Sequence, residues 1–260
     1  LKTLTAELPP SALDHSNLNA TGLSAKLQAQ EVDGRLVFAG HALADAFRGA
    51  GVQSQKLDLN FEGGVPYPAN GAKKALGAVV LKADLTADAL SSEGFAAQAA
   101  TGHVDWRGEV DGWLDAFLLQ GELQTRIRAR DLRMADNRLN GAAVDARNLQ
   151  IEIARGQQPS RGTHVVWRAE GPLSVKAAQG RLGDFSVRDL SLSSGNLLAG
   201  GWGRAFEAQG PLILTADRLS GQDLDLRAVR GRVALDAVGD TDFRIGLRGS
   251  LSSRGASYNG

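Results

Sequence analysis

The chain has no cysteine, 7 prolines and one methionine among its 260 residues. The absence of cysteine excludes disulfides and every metal or nucleophile site that needs a thiolate. Lys and Arg together number 29, as do Asp and Glu, so the net charge is zero and the basic excess of a nucleic-acid-binding domain is missing. Aromatic residues make up only 5% and do not alternate with Lys or Arg as in a base-stacking surface. We therefore expect no nucleic-acid partner.

Long apolar runs are also missing. No window approaches the roughly 18 apolar residues of a transmembrane helix, and no charged segment precedes an apolar one as in a signal peptide. The sequence starts at Leu1, and Met134 is its only methionine. We interpret the chain as a processed or excised internal segment of a longer protein whose membrane anchor lies elsewhere.

Catalytic motifs are absent as well. The four histidines are far apart and form no HxH or HxxxH arrangement, although a metal site needs several converging ligands. There is no GxSxG or SxxK motif, no phosphate-binding GxxxxGK[ST] loop and no GxGxxG motif between a strand and a helix. Acidic residues two or four positions apart fit the solvated face of a strand better than a pair of catalytic acids. We predict no enzymatic activity, no catalytic residue, no metal and no cofactor. The histidines are His15, His41, His103 and His164, and the acidic pairs are Asp84/Asp88, Glu109/Asp111, Asp223/Asp225 and Asp240/Asp242.

The dominant positive feature is alternation of apolar and polar residues. Leu57, Leu59 and Phe61 alternate with Asp58 and Asn60, and similar runs recur along the chain. Such alternation is typical of strands with one apolar and one polar face. The 32 glycines, with no fixed period, suit many tight turns. These features predict an all-β fold of many short antiparallel strands, arranged as a meandering sheet, a sandwich or a barrel. The other runs begin at Leu23, Leu81, Val104, Leu123, Leu149, Val165, Leu173, Leu212, Leu224, Val233 and Phe243.

A few segments depart from this pattern. Residues 41–48 (HALADAFR) and 112–119 (GWLDAFLL) are each predicted to form a short helix, and residues 10–13 a single helical turn. Residues 63–71 and 156–163 are predicted loops, because they are rich in Gly, Pro and polar residues. The second loop divides an N-terminal β region (1–155) from a C-terminal one (156–260), which we expect to be continuous with the first.

Two decapeptides also resemble each other. They are RLNGAAVDAR at 138–147 and RLSGQDLDLR at 218–227. If they are true repeats, they indicate strand-turn-strand units stacked side by side.

The one-sided apolar face allows two arrangements. It can pack against a second sheet to form a sandwich core, which the pattern by itself favours. Alternatively, a curved sheet can leave the face open as a groove for acyl chains, with about 0.8 kcal/mol gained for each buried methylene. The sequence leaves both arrangements open.

Several stretches resemble the AsmA-like periplasmic proteins, which include the YdbH-like and TamB-like families. They are residues 129–153 (ARDLRMADNRLNGAAVDARNLQIEI), 187–198 (VRDLSLSSGNLL) and 212–231 (LILTADRLSGQDLDLRAVRG). The shared feature is a strand unit rich in Leu, Ala, Asp, Arg and Gly. The resemblance covers the C-terminal half well and the first 120 residues loosely.

The resemblance implies an elongated, curved, groove-shaped sheet anchored in the inner membrane of a Gram-negative bacterium. Such a segment would conduct phospholipid through the periplasm to the outer membrane and would contact membrane proteins at either end of the bridge. Its partners would be phospholipid acyl chains. The alternative is a structural or adhesive β-solenoid or sandwich module of a secreted or surface protein. The residues implied to line the groove are Leu123, Ile127, Val165, Trp167, Leu212, Leu214, Leu224, Leu226, Ile245 and Leu247.

Overall fold

The computed structural model describes residues 3–15, 18–49, 51–67, 75–113, 116–158, 162–202, 205–239 and 243–258. These residues form fourteen β-strands and no helix. The strands are β1 (Thr3–His15), β2 (Leu18–Val32), β3 (Arg35–Gly49), β4 (Val52–Pro66), β5 (Ala75–Ser92), β6 (Phe95–Trp113), β7 (Ala116–Met134), β8 (Asn137–Gln158), β9 (Gly162–Leu182), β10 (Phe185–Trp202), β11 (Ala205–Gly221), β12 (Leu224–Gly239), β13 (Phe243–Ser252) and β14 (Gly255–Tyr258).

All fourteen strands belong to one antiparallel sheet, in which β1 to β13 follow one another in chain order. β14 pairs with β12 beside β13, and Arg254 N donates to the Arg227 carbonyl between them. Within the described residues the sheet is open, because β1 and β13 lie at opposite edges and the strands in appreciable contact are neighbours in the sheet. The all-β prediction is confirmed. There is one sheet here, and not the two packed sheets of a sandwich.

A single transverse line, which we call the crease, crosses the sheet close to its tight turns. Gly141 lies four residues after Asn137, where β8 begins, and Asp217 lies four residues before Gly221, where β11 ends. The strand registers align these positions from β2 to β12. The crease consists of Gly22, Asp45, Lys56, Asp88, Ala99, Arg130, Gly141, Ala178, Asp189, Asp217 and Ala228.

Every second crease residue has a left-handed backbone. These residues lie on β2, β4, β6, β8, β10 and β12, and their φ angles range from +48° at Ala99 to +60° at Gly22 and Gly141. The alternation of side chains changes phase at the crease, so that two consecutive residues are exposed, as at Arg227 and Ala228. The crease therefore divides each of these strands into a four-residue short segment next to the turn and a long segment.

The buried core lies along this line. Its members come from both sides of the crease: Leu132 and Val187 lie on short segments, and Leu190 and Val229 on long ones. Both kinds of segment therefore contribute to the same apolar face. The cluster comprises Ala97, Ala100, Ala129, Leu132, Leu139, Ala142, Ala177, Val187, Leu190, Leu214, Ala216 and Val229.

A second irregularity interrupts β7 to β11. Register shifts place an extra residue on β8 near Asn148, whose φ is +56°, and another on β10 near Asn196. In each case the neighbouring strand carries a Gly-Pro-Leu sequence, at 171–173 and 210–212. β8 with β9 and β10 with β11 thus repeat one bulged hairpin, which the sequence analysis did not detect.

The predicted helices were wrong. Residues 41–48 lie within β3, residues 10–13 lie within β1, and the described part of 112–119 ends β6 and begins β7. In β3 the phase change at Asp45 places Ala42, Ala44 and Phe47 on one face. This spacing of two and then three residues imitates helical periodicity, although the backbone is extended.

The loop predictions also need correction where the structure describes them. Residues 63–66 belong to β4, and residues 156–158 and 162–163 belong to paired strands β8 and β9. Residues 68–71 and 159–161 lie outside the described residues. The decapeptides are not equivalent, because 138–147 lies within β8, whereas 218–227 ends β11, turns and begins β12.

Candidate functional site: two faces of one sheet

The first candidate site is the apolar face of the long segments. Its side chains form continuous rows across the strands, because the register places large residues directly opposite small or large residues on the neighbouring strands. In one row Leu81, Trp106 and Leu123 are direct cross-strand neighbours. The same row extends through Phe38, Gly63, Leu149, Gly171, Leu197, Gly210, Leu235 and Leu247.

Polar groups are rare on this face. The Thr125 hydroxyl donates to the His103 carbonyl at 2.9 Å, and Ser194 lies buried on β10. The indole Nε1 of Trp106 is buried without an acceptor among the described residues. Near the end of β8 that is remote from the crease, the alternation of side chains places the charged residue Arg155 on this face. The face can therefore make nonpolar contacts over most of its length.

All ten residues predicted to line a groove lie on the apolar side of the sheet, although two of them belong to a short segment. Leu123 and Ile127 are on β7, Val165 and Trp167 on β9, and Leu212 and Leu214 on β11. Ile245 and Leu247 are on β13. Leu224 and Leu226 lie on the short segment of β12, and Leu226 packs against the core cluster.

These residues differ in burial. Leu212 and Leu214 are buried, whereas Ile127, Val165, Ile245 and Leu247 are exposed. No described strand covers the exposed members. The apolar face is thus buried at some positions and accessible to solvent at others.

The opposite face of the long segments carries the charges. Lys82 pairs with Glu62 at 2.9 Å, and Arg126 pairs with Asp145 at 2.7 Å. Such exposed pairs contribute little to stability, about 0–1 kcal/mol each. They give this face a charged surface, whereas the apolar face has no charge pair within the described ranges.

The histidines do not assemble a metal site within the described residues. His41 contacts Asp58 at 2.9 Å, and His103 contacts Asp84 at 2.7 Å. The described part of the chain contains no group of three metal-ligating side chains. The side chains of His15 and His164 lie outside the described residues.

One of the acidic pairs considered from the sequence takes part in an ion-pair cluster. Asp225 accepts hydrogen bonds from Arg218 at 2.7 and 3.0 Å, and Arg227 lies 3.8 Å away. Asp223 lies in the adjacent tight turn. Asp240 and Asp242 lie outside the described residues. This arrangement engages the Asp225 carboxylate with arginine instead of leaving it free as a base.

The second candidate site is the polar face of the short segments from β7 to β12, which we call the arginine face. Two rows of directly opposed residues cross it. The row nearer the turns reads Arg133, Arg138, Arg181, Ser186, Ser220, Asp225. The row nearer the crease reads Asp131, Asn140, Gln179, Arg188, Arg218, Arg227.

Each end of the arginine face is an Arg-Asp-Arg cluster. Asp131 is buried and accepts hydrogen bonds from Arg138 at 2.5 and 3.2 Å, with Arg133 at 3.5 Å. Burial raises the pKa of the Asp131 carboxyl, but the hydrogen bonds and charges of Arg138 and Arg133 outweigh burial and hold that pKa below its usual value. At the other end, the hydrogen bond from Arg218 lowers the pKa of Asp225.

Sequence reasoning missed the arginine face. Its signal was present, since arginines flank the tight turns at Arg133 and Arg138 and again at Arg181 and Arg188. The residues of the two rows come from six strands, however, and only the register places them side by side.

The described part of the chain contains no helix with the length and apolarity needed to cross a membrane. Comparison of the chain with protein-family models, with curated proteins and with solved structures finds no match.

Proposed function

We propose that the chain holds phospholipid acyl chains on its apolar face and serves as a segment of a periplasm-spanning lipid conduit. The observation that carries this proposal is the uncovered apolar face, which continues from strand to strand and bears no ion pair among the residues that the structure describes. An acyl chain lying on it would gain about 0.8 kcal/mol for each methylene removed from water. Contiguous exposed apolar surface of this kind marks a binding surface.

The crease favours a groove. The short segments contribute apolar side chains such as Phe95 and Leu219 to the cluster that the long segments share. If the sheet bends inward along the crease, the short segments form one wall and the long segments the other. The open far ends of the long segments would then admit lipid from the side.

The resemblance to AsmA-like proteins supplies the cellular setting of the proposal. In that setting the chain is part of a longer protein anchored in the inner membrane of a Gram-negative bacterium, and phospholipid moves along the strand-to-strand direction towards the outer membrane. The sheet suits this role, because every added hairpin lengthens the same apolar face.

Adjacent residues on β9 offer a matched test. Val165 lies on the apolar face and is 43% exposed, whereas Val166 lies on the opposite face and is 47% exposed. Val165→Gln places a polar amide in the lipid path, and Val166→Gln places the same amide outside it. We expect Val165→Gln to reduce binding of a fluorescent fatty acid about tenfold, the equivalent of 1.4 kcal/mol, and Val166→Gln to leave binding unchanged.

A second pair checks the same face elsewhere. Ile127 on the apolar face is 43% exposed and Ile213 on the opposite face is 55% exposed, so Ile127→Gln and Ile213→Gln repeat the comparison on β7 and β11. Mass spectrometry of organic extracts from the purified proteins measures co-purified phospholipid. Equal lipid content in both members of each pair, or no lipid in the folded wild type, would contradict the proposal and favour a structural or adhesive module.

A further inference from the structure

A polar depression lies on the arginine face, on the side of the sheet away from the apolar face. Its volume is about 420 Å³, and Arg138, Arg181, Arg188 and Arg218 line it together with two amide and two hydroxyl side chains. No carboxylate belongs to its described lining. The volume falls within the range of about 300–1,000 Å³ typical of small-molecule sites.

The strand register places like charges directly opposite one another here. Arg138 is opposite Arg181 on β9, and Arg188 is opposite Arg218 on β11. Directly opposed like charges destabilise a sheet. A fold that needed only a soluble surface could alternate the signs, as the ion pairs of the long segments do. The concentration of positive charge therefore favours the binding of an anion on this face.

The two Arg-Asp-Arg clusters neutralise only the ends of the arginine face and leave positive charge in its middle. Asp131 and Asp225 engage arginines at the two ends. Between them, Arg181 donates through Nε to the Gly183 carbonyl at 2.9 Å. Arg188 has no carboxylate partner among the described residues. The remaining donors of Arg181 and Arg188 face a depression that the end clusters hold in place.

We propose that this depression binds a phosphate-bearing anion. Several guanidinium forks around one site suit the multiple oxygens of a phosphate, because each fork donates two parallel hydrogen bonds. A single carboxylate has only two oxygens and would leave most of the donors unused. The amides of Asn140 and Gln179 and the hydroxyls of Ser186 and Ser220 add uncharged donors. The shared chemistry is the anionic phosphate group, which either inorganic phosphate or a glycerol phosphate head group can supply.

The test is calorimetric titration of the whole chain at low ionic strength. The probes are inorganic phosphate, glycerol phosphate and acetate. We expect Arg188→Gln to weaken binding of the phosphate probes about tenfold, since the variant loses a charged fork. The affinity of Arg188→Lys for the phosphate probes should lie between those of Arg188→Gln and the wild type, because lysine keeps the positive charge and lacks the planar fork.

Arg48→Gln is the matched control. Arg48 occupies the same polar face of a short segment, on β3, where another depression is lined by Asn19, Gln53 and Gln55 instead of further arginines. We expect less than a twofold change in this variant. Circular dichroism checks that all variants are folded.

The outcomes separate clearly. Binding of both phosphate probes, with loss in Arg188→Gln alone, supports the site, and tighter binding of glycerol phosphate than of inorganic phosphate identifies a head group as its source. Tighter binding of inorganic phosphate identifies free phosphate instead. The proposal is overturned if the wild type binds neither probe, if acetate binds as tightly, or if Arg48→Gln loses as much binding as Arg188→Gln. Lipid occupancy of the apolar face is a separate measurement and does not affect this result.

Discussion

The crease runs through both halves of the sheet, but the residues beside it differ. Next to the crease, the buried positions of β2 to β5 are Ala20, Ala44, Ser54 and Ala87, whereas those of β7 to β12 include Leu132, Leu139, Leu190 and Val229. The polar face of the short segments also carries different residues in the two halves of the sheet. It carries amides, small residues and Arg48 in the first half and the two arginine rows in the second.

This difference separates two roles of the crease. The backbone geometry is common to both halves and sets where each strand changes phase. The side chains beside it set how firmly each half is held and what its polar face can bind. We therefore expect the second half to be the more stable and the more sensitive to substitution.

The largest expected effect is at Leu190, which is 2% exposed within the core cluster. Leu190→Asp buries an unpaired carboxylate and should destabilise the chain by about 4 kcal/mol or prevent folding. Leu190→Ala, which leaves a cavity, should cost about 2–4 kcal/mol. Urea denaturation monitored by circular dichroism measures both.

Ile213→Asp is the control for this prediction. Ile213 lies on the polar face of β11, is 55% exposed and is directly opposite Arg232, so we expect a loss of less than about 1 kcal/mol. A comparable loss at Ile213 and Leu190 would show that the two faces of the sheet are not distinguished as described.

An intermediate effect is expected when the Asp131 cluster is broken. Arg138→Ala leaves the buried Asp131 with Arg133 alone, and we expect a loss of about 1–2 kcal/mol at neutral pH, because a hydrogen-bonded charge loses its main partner while Arg138 itself is half-exposed. Arg48→Ala, in the half without such a cluster, should cost less than about 0.5 kcal/mol.

The difference in the free energy of unfolding between the wild type and Arg138→Ala should depend on pH in a defined direction. The pKa of Asp131 is lowered in the folded chain, so its contribution to stability is fully present above the usual aspartate pKa of about 3.9 and is lost as the pH falls through the lowered value. The stability gap between wild type and Arg138→Ala should therefore narrow below about pH 4 in urea titrations. A gap that stays constant down to pH 2 would assign the effect to packing of the Arg138 stem.

The smallest effect concerns the crease backbone itself. Gly141 has φ +60°, and a Cβ there would lie 3.4 Å from the Ala178 Cβ, so Gly141→Ala should cost about 1 kcal/mol. The reverse change at the corresponding position of β6, Ala99→Gly, removes a left-handed alanine with φ +48° and should stabilise by less than about 1 kcal/mol. Thermal melts of both variants measure the pair. The same sign for both would contradict a shared backbone role.

The sequence predicted the strand content correctly but divided it into too many pieces. The runs at Val165 and Leu173 predict two short strands, yet both lie in β9, and the runs at Leu224 and Val233 both lie in β12. A phase change at a crease or bulge interrupts alternation just as a turn does. Sequence reasoning could not distinguish the two, because the distinction depends on whether neighbouring strands share the irregularity.

The alternation by itself determined that the chain is all-β and which side chains share a face, since side chains on a strand point alternately to its two sides. That is why all ten residues predicted to line a groove fall on the apolar side of the sheet. The register between neighbouring strands determined the remaining features of the sheet. Pairing of strands far apart in sequence aligned the crease, left the apolar face without a second sheet in the described residues, and assembled the arginine face from six strands. These features depend on contacts between strands, which no local pattern encodes.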